Sequence, residues 1–220
     1  ANTTGADNTA VGSIAMDANT TGSNNSAFGR SALGANTTGQ YNCAFGQSSL
    51  GSNTTANNNT AFGNEALGAN TTGPSNTAFG RDSLKLITTG QECTAVGHNA
   101  LRNNTASEIT AVGYRALIAN TTGLYNTAVG TIALEANSTS NNNTAVGYKA
   151  LYANTTGSQN TAVGSFAGDA ITTGYANTVM GQGSLTVATT GSNNTAFGAA
   201  ALHLQTTAND NTAVGSAALY

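Results

Sequence analysis

The chain repeats itself every seventeen residues, as Ala-Asn-Thr-Thr-Gly-x-x-Asn-Thr-Ala-Val/Phe-Gly-x-x-Ala-Leu-x. Thirteen copies account for all 220 residues: 1–17, 18–34, 35–51, 52–68, 69–85, 86–101, 102–118, 119–135, 136–152, 153–169, 170–186, 187–203 and 204–220, the copy 86–101 being one residue short. A unit this small cannot enclose a core alone. The copies must stack, which predicts one elongated repeat domain with no linker. Helix-turn-helix repeats need more than about 30 residues. Thr, Val and Phe around position 9 to 11 favour a strand, and Asn and Gly favour turns. The expected fold is therefore all-β, a parallel β-solenoid of thirteen coils. In the second coil this places a strand near Ser26-Ala27-Phe28, a corner at Gly29, a second strand near Ala32-Leu33 and a third extended piece through Thr20-Thr21.

The columns of the repeat assign side chains to faces. Position 11 is apolar throughout (Val11, Phe28, Phe45, Phe62, Phe79 and Val96 in the first six copies), and position 16 is Leu in most copies (Leu33, Leu67, Leu101, Leu151). Both columns are expected to fill the coil interior. Alternation along the strand then turns Ala10 and its equivalents outward as a flat stripe of small residues, suited to close approach of another chain. Gly occupies position 12 in every copy (Gly12, Gly29, Gly46, Gly63) and marks a corner. Position 8 is Asn in most copies (Asn8, Asn25, Asn42, Asn59), a column able to hydrogen-bond from coil to coil. The Thr of position 4 is expected to ladder in the same way. In the tenth copy Gly168 replaces the interior Leu, and Phe166, two residues earlier, is expected to fill the space.

The pattern Asn8-Thr9-Ala10-Val11-Gly12 and its echoes resemble the Asn-Ser-Val-Ala-Ile-Gly repeats in the heads of trimeric autotransporter adhesins. They resemble still more closely the Asn-Thr-Ala-Val-Gly-x-x-Ala-Leu repeats of phage tail-fibre and related trimeric adhesin proteins. The resemblance covers the whole chain. It implies a left-handed parallel β-roll, assembled as a homotrimer, that serves attachment at a cell or virion surface. The Asn-Thr-Thr-Gly segment lengthens each coil relative to the adhesin heads, and the run before Gly12 is one residue shorter.

Composition narrows the functional classes. Charged residues are only 7 % of the chain and the net charge is −3, so neither a nucleic-acid footprint nor a membrane-seeking basic face is expected. No apolar run approaches the roughly 20 residues needed to span a bilayer. Ala1 is already in phase with the repeat, as in a processed or excised chain. The expected location is extracellular, on a cell or virion surface. No enzyme motif, metal spacing or cofactor loop is present, and no cofactor is expected. Cys43 and Cys93, three copies apart, lie beyond disulfide reach, and His98 and His203 are too far apart to share a metal. The adjacent Glu92 and Glu108 form a carboxylate pair with no concave site around it.

Positions 6, 7, 13, 14 and 17 vary. They hold every tyrosine and every charged residue except Arg102, which makes them the expected recognition surface. Tyr114-Arg115 and Tyr148-Lys149 share a phase two coils apart, and with Tyr152 they could stack on a sugar or peptide. Asn-Thr-Thr triplets at Asn2, Asn19, Asn36, Asn53, Asn70, Asn120 and Asn154, and Asn-Asn-Thr at Asn142 and Asn193, match the glycosylation acceptor pattern. The functional expectation is a non-enzymatic shaft or head segment of a trimeric surface fibre, self-associating and binding a cell-surface glycan or protein receptor. A self-stacking filament subunit is the first alternative. An ice-binding solenoid is the second, disfavoured because that design wants two outward Thr columns on one strand.

Overall fold

The computed structural model describes residues 2–204 and 206–220; Ala1 lies outside the described residues. The chain is an all-β parallel solenoid in two compact units, Ala1–Glu108 and Ile109–Tyr220. Each coil contributes one three-residue strand. The first unit holds β1 (Thr9–Val11), β2 (Ser26–Phe28), β3 (Cys43–Phe45), β4 (Thr60–Phe62), β5 (Thr77–Phe79) and β6 (Thr94–Val96). The second holds β7 (Thr110–Val112), β8 (Thr127–Val129), β9 (Thr144–Val146), β10 (Thr161–Val163), β11 (Thr178–Met180), β12 (Thr195–Phe197) and β13 (Thr212–Val214). Within each unit successive strands pair in parallel and in register, so Ala27 lies opposite Ala44 and Phe28 opposite Phe45.

Beyond the strand, the coil is made of turns. Ala32-Leu33 and Thr20-Thr21 are not strands. Thr20-Thr21 is a bend, and Leu33 is one of three positions per coil that take left-handed backbone; in the fourth coil these are Asn58, Glu65 and Leu67, with φ of 61°, 56° and 53°. Such a conformation costs an L-residue about 1–2 kcal/mol. Each is held by a bond to a neighbouring coil: Asn58 N–H donates to Gln40 O (3.1 Å), Glu65 N–H to Gln47 O (2.9 Å) and Leu67 N–H to Ser83 O (3.0 Å). Inter-coil hydrogen bonding therefore continues where strand geometry stops.

The interior is narrower than hydrophobicity alone suggests, and the strand presents its other face to it. Ala27, Ala44, Ala61, Ala78 and Ala95 are fully buried, while Val11, Phe79 and Val96 are exposed and Phe28, Phe45 and Phe62 half-buried on the outer face. The predicted inward Val/Phe column and outward Ala stripe are thus reversed. Leu33, Leu67, Leu101 and Leu151 are buried beside the Ala column, and the remaining volume belongs to two columns of Asn. Asn42 N–H donates to Asn25 Oδ1 (2.9 Å) and Asn59 N–H to Asn42 Oδ1 (3.0 Å); Asn25 in turn bonds Asn8 Oδ1. The second column comes from position 2, where Asn36 Nδ2 donates to Asn19 Oδ1 (2.8 Å) and to Gly39 O (3.0 Å). A coil that encloses one Leu, two Ala and two Asn has no room for Phe. The Thr ladder also sits one residue earlier than expected: Thr20 and Thr37, at position 3, donate their hydroxyls to the carbonyls of Thr37 and Thr54 (3.0 Å each), and Thr21 and Thr38 at position 4 are exposed.

The sixth and tenth coils depart locally from the sequence expectation. Leu86 N–H bonds Arg102 O (3.1 Å), as Ala69 N–H bonds Lys85 O (3.0 Å), so Arg102 closes the sixth coil at position 17. The deletion lies in the next turn, where Asn104 Nδ2 reaches Ala106 O two residues on (2.7 Å) instead of three. With Arg102 placed there, every charged residue falls on a variable position. In the tenth coil the space left by Gly168 is taken by Ile171 and Leu151, whose side chains would meet a Cβ on Gly168 at 2.9 and 3.2 Å. Phe166 is half-buried and packs edge-on against Tyr148, with centroids 5.2 Å apart.

Gly63 has φ of +137°, and a Cβ there would sit 2.5 Å from Gly80 O. Gly183 has φ of +62° with open space around it. Gly63→Ala is therefore expected to destabilise by about 3 kcal/mol, combining strain with a backbone clash. Gly183→Asn should change stability by less than about 1 kcal/mol. Chemical denaturation of the two variants checks the pair. By the same method Ile171→Ala should cost about 2–5 kcal/mol as a core truncation, and Phe166→Ala only about 1 kcal/mol, the size of its edge-on ring contact.

Candidate functional site

Two surfaces carry side chains that the fold itself does not use. The first is the outward face of the strands. Here the position-11 column is flanked by the position-9 column of Ser26, Cys43, Thr60 and Thr77 in the first unit, and no charged side chain falls in either column. Phe28, Phe45, Phe62 and Phe79 stack in sequence with centroids 4.5–4.6 Å apart and planes within 12° of parallel. This spacing is the strand spacing; the backbone imposes it, since isolated rings favour offset or edge-on pairs. In the second unit the same column is Val112, Val129, Val146, Val163, Met180, Phe197 and Val214. The sequence already contained the signal for this face: position 11 tolerates Val, Phe and Met, a range of volume that a close-packed interior does not accept.

The second surface lies on the variable positions of the second unit. Lys149 Nζ sits over three rings, 5.7 Å from the Tyr148 centroid, 5.1 Å from Tyr152 and 5.7 Å from Phe166. Arg115 lies over Tyr114 at 6.0 Å and pairs with Glu135 at 2.7 Å. The predicted residues thus form two local groups, a Lys149 group with Tyr148 and Tyr152, and an Arg115–Tyr114 pair anchored by Glu135. Phe166 belongs to the first group and was missed, because its value as a gap-filler hid its position on the surface. Tyr114, Tyr148 and Tyr152 are exposed. Next to the Lys149 group, Asp169 is held in part by burial: desolvation pushes its carboxyl above the ordinary range, the Lys149 charge opposes that shift, and Oδ1 has no partner.

Other candidates fall away or change character. The acceptor Asn residues 19, 36, 53, 70, 120 and 154 are the buried position-2 column, with amides engaged inside the coil, while Asn142 and Asn193 are exposed at left-handed turns. Cys93 is a buried free thiol and Cys43 a half-buried one. Glu92 and Glu108 are both exposed. Among the described residues no group of three or more His, Cys, Asp or Glu is placed to hold a metal ion, and no helix is long and apolar enough to cross a membrane.

The Asp169 shift has a definite sign. A carboxyl whose folded pKa is raised binds its proton more tightly in the folded state, so its burial opposes folding once pH rises through the window from the unfolded value, about 3.9, to the folded one. Asp169→Asn is expected to raise the melting temperature at pH 7, with the gain vanishing below about pH 4; thermal melts across that range check it. Comparison with known proteins gives no match to a family model, a curated protein or a solved structure.

Proposed function

We propose that the chain is a non-enzymatic attachment protein, a shaft or head segment of an extracellular trimeric fibre of the adhesin or tail-fibre kind. It associates with further copies of itself through the outward Thr and Val/Phe columns. The observation that carries this reading is the uncharged apolar column on the strand face of both units. Covering the exposed part of each Val or Phe contributes about 1 kcal/mol, and the term recurs at every coil. A second copy is the fitting occupant because it carries the same columns at the same pitch, so contacts made at one coil are repeated at the next. The outward pair is Thr with Val or Phe rather than Thr with Thr, which favours protein contact over ordered water. The variable positions, with the exposed tyrosines, Arg115 and Lys149, then remain for a surface glycan or protein receptor.

Phe45→Lys places a charge in the middle of the Phe stack without entering the coil interior. Sedimentation should show a trimer for the parent chain and a shift toward monomer for the variant, with unchanged circular dichroism. A parent chain that is folded and monomeric at micromolar concentration overturns the reading. Indefinite filaments in electron micrographs would replace the closed trimer by the filament alternative.

A further inference from the structure

In the first unit, position 17 of three successive coils is glycine: Gly34, Gly51 and Gly68. The fold does not require this. None of the three has a left-handed φ, and the same position carries Lys85 in the next coil and Glu135, Tyr152 and Asp169 in the second unit. A Cβ at Gly51 or Gly68 would come 3.1 Å from a carbonyl of its own turn, a close approach that the other coils accommodate. The position-14 side chains facing these glycines are Ser31, Ser48 and Glu65. Around Gly51 and Gly68, though not Gly34, lies an open cleft of about 330 Å³, lined also by Ser31, Ser48, Glu65, Lys85 and Leu86. Its size falls at the lower end of small-molecule sites.

The chemistry of the walls selects a class of ligand. Lys85 bonds Glu65 and also Asp82 Oδ1 (3.0 Å), and Arg81 Nε pairs with Asp82 Oδ2 (3.3 Å). Of these only Glu65 and Lys85 line the cleft, and their charges cancel; Leu86 and Ala69 make much of the remaining wall apolar. Ser31 and Ser48 bring hydroxyls that both donate and accept, Glu65 a carboxylate that accepts, and the glycine backbone a flat floor. We propose that this cleft binds a neutral hexopyranose unit of a surface glycan. Adjacent ring hydroxyls donate to Glu65 and exchange hydrogen bonds with the serines, while the C–H face of the sugar lies over Gly51 and Gly68. This deepens the attachment reading and rests on it: the cleft is the place in the first unit where variable positions form a concavity rather than a decorated ridge.

Saturation-transfer NMR on the full chain, with the methyl glycosides of glucose, galactose, mannose and N-acetylglucosamine as probes, tests it. At least one glycoside should show saturable transfer. Gly68→Tyr fills the cleft with a side chain that the fold carries at Tyr152, and should weaken binding by about tenfold or more with the melting curve unchanged. Glu65→Gln, which keeps the side-chain shape, should also weaken it and gives an independent reading if Gly68→Tyr folds poorly. Absence of transfer from all four probes, or transfer unaffected by both variants, overturns the proposal. Transfer that survives both but is lost in Tyr152→Ala also overturns it, moving sugar binding to the Lys149 group and leaving the attachment reading intact. Sedimentation of the same samples reads the assembly separately, so a folded monomer that still binds sugar in this cleft would overturn only the fibre reading.

Discussion

The constraint on which the rest depends is that each coil bonds to the next in register, side chain over like side chain. For the interior this is met by asparagine. A buried amide must satisfy both its donor and its acceptor. An Asn stacked on an Asn does so indefinitely, passing an N–H to the neighbour's oxygen and keeping a second N–H for a local carbonyl, as Asn36 does with Asn19 and Gly39. Where the column ends the requirement becomes visible. Asn70 and Asn154 precede Ile87 and Ile171 at position 2 of the following coil, and in both the Oδ1 is buried without a partner. The isoleucines fill the volume but cannot donate.

That polar interior decides which strand face turns outward. With two amides and one Leu enclosed, the strand directs a methyl group inward and the larger side chain of the Thr-Ala-Val/Phe triplet faces out; the eleventh coil, where Ile171 stands in place of the position-2 amide, buries Val179 instead. Apolar burial of the Leu column, at about 2 kcal/mol per side chain, is then modest for each coil. Hydrogen bonding between coils takes a larger share of the structural work than in a globular core, and the outer Phe and Val surface takes no part in the interior.

Much of this was legible in the sequence. Seventeen-residue periodicity and turn-forming residues gave the solenoid, position 12 gave its corner, and the Asn of position 8 gave a coil-to-coil ladder, though not its place in the interior. Period-two alternation separated Ala27 from Ser26 and Phe28 without saying which side was inside, and ranking by hydrophobicity chose the wrong one. Uniformity of size was the better guide: the position-10 column is almost always Ala, while position 11 ranges from Val to Phe. The left-handed turns at Asn58, Glu65 and Leu67 were hidden because no glycine marks them; tertiary hydrogen bonds override local preference there. The deletion was misplaced by at least three coil positions because Arg102-Asn103-Asn104 can be aligned with the repeat in either of two ways, and the bonds from Leu86 to Arg102 and from Asn104 to Ala106 distinguish them.

In-register stacking also explains the scarcity of charge. A charged residue repeated at one position would meet its own copy about 4.8 Å away, a repulsion near 1 kcal/mol even in water and several-fold larger where solvent is partly excluded. Outside solvated corners such as that of Glu92 and Glu108, which share position 7 in adjacent coils and are exposed, a column of charge is therefore broken by neutral residues or bridged by the opposite sign. Both solutions occur. Glu65 and Asp82 stack at position 14, and Lys85 from position 17 bonds both, its own pKa raised by the two carboxylates. Arg115 at position 14 is likewise tied to Glu135 at position 17 of the next coil. Positions 14 and 17 thus form paired columns across one edge of the coil, in which Glu65 and Asp82 meet Lys85 and Arg115 meets Glu135. An uncharged stretch of that edge, as at Ser31, Ser48, Gly51 and Gly68, is compatible with the same rule, but the rule does not demand glycine there.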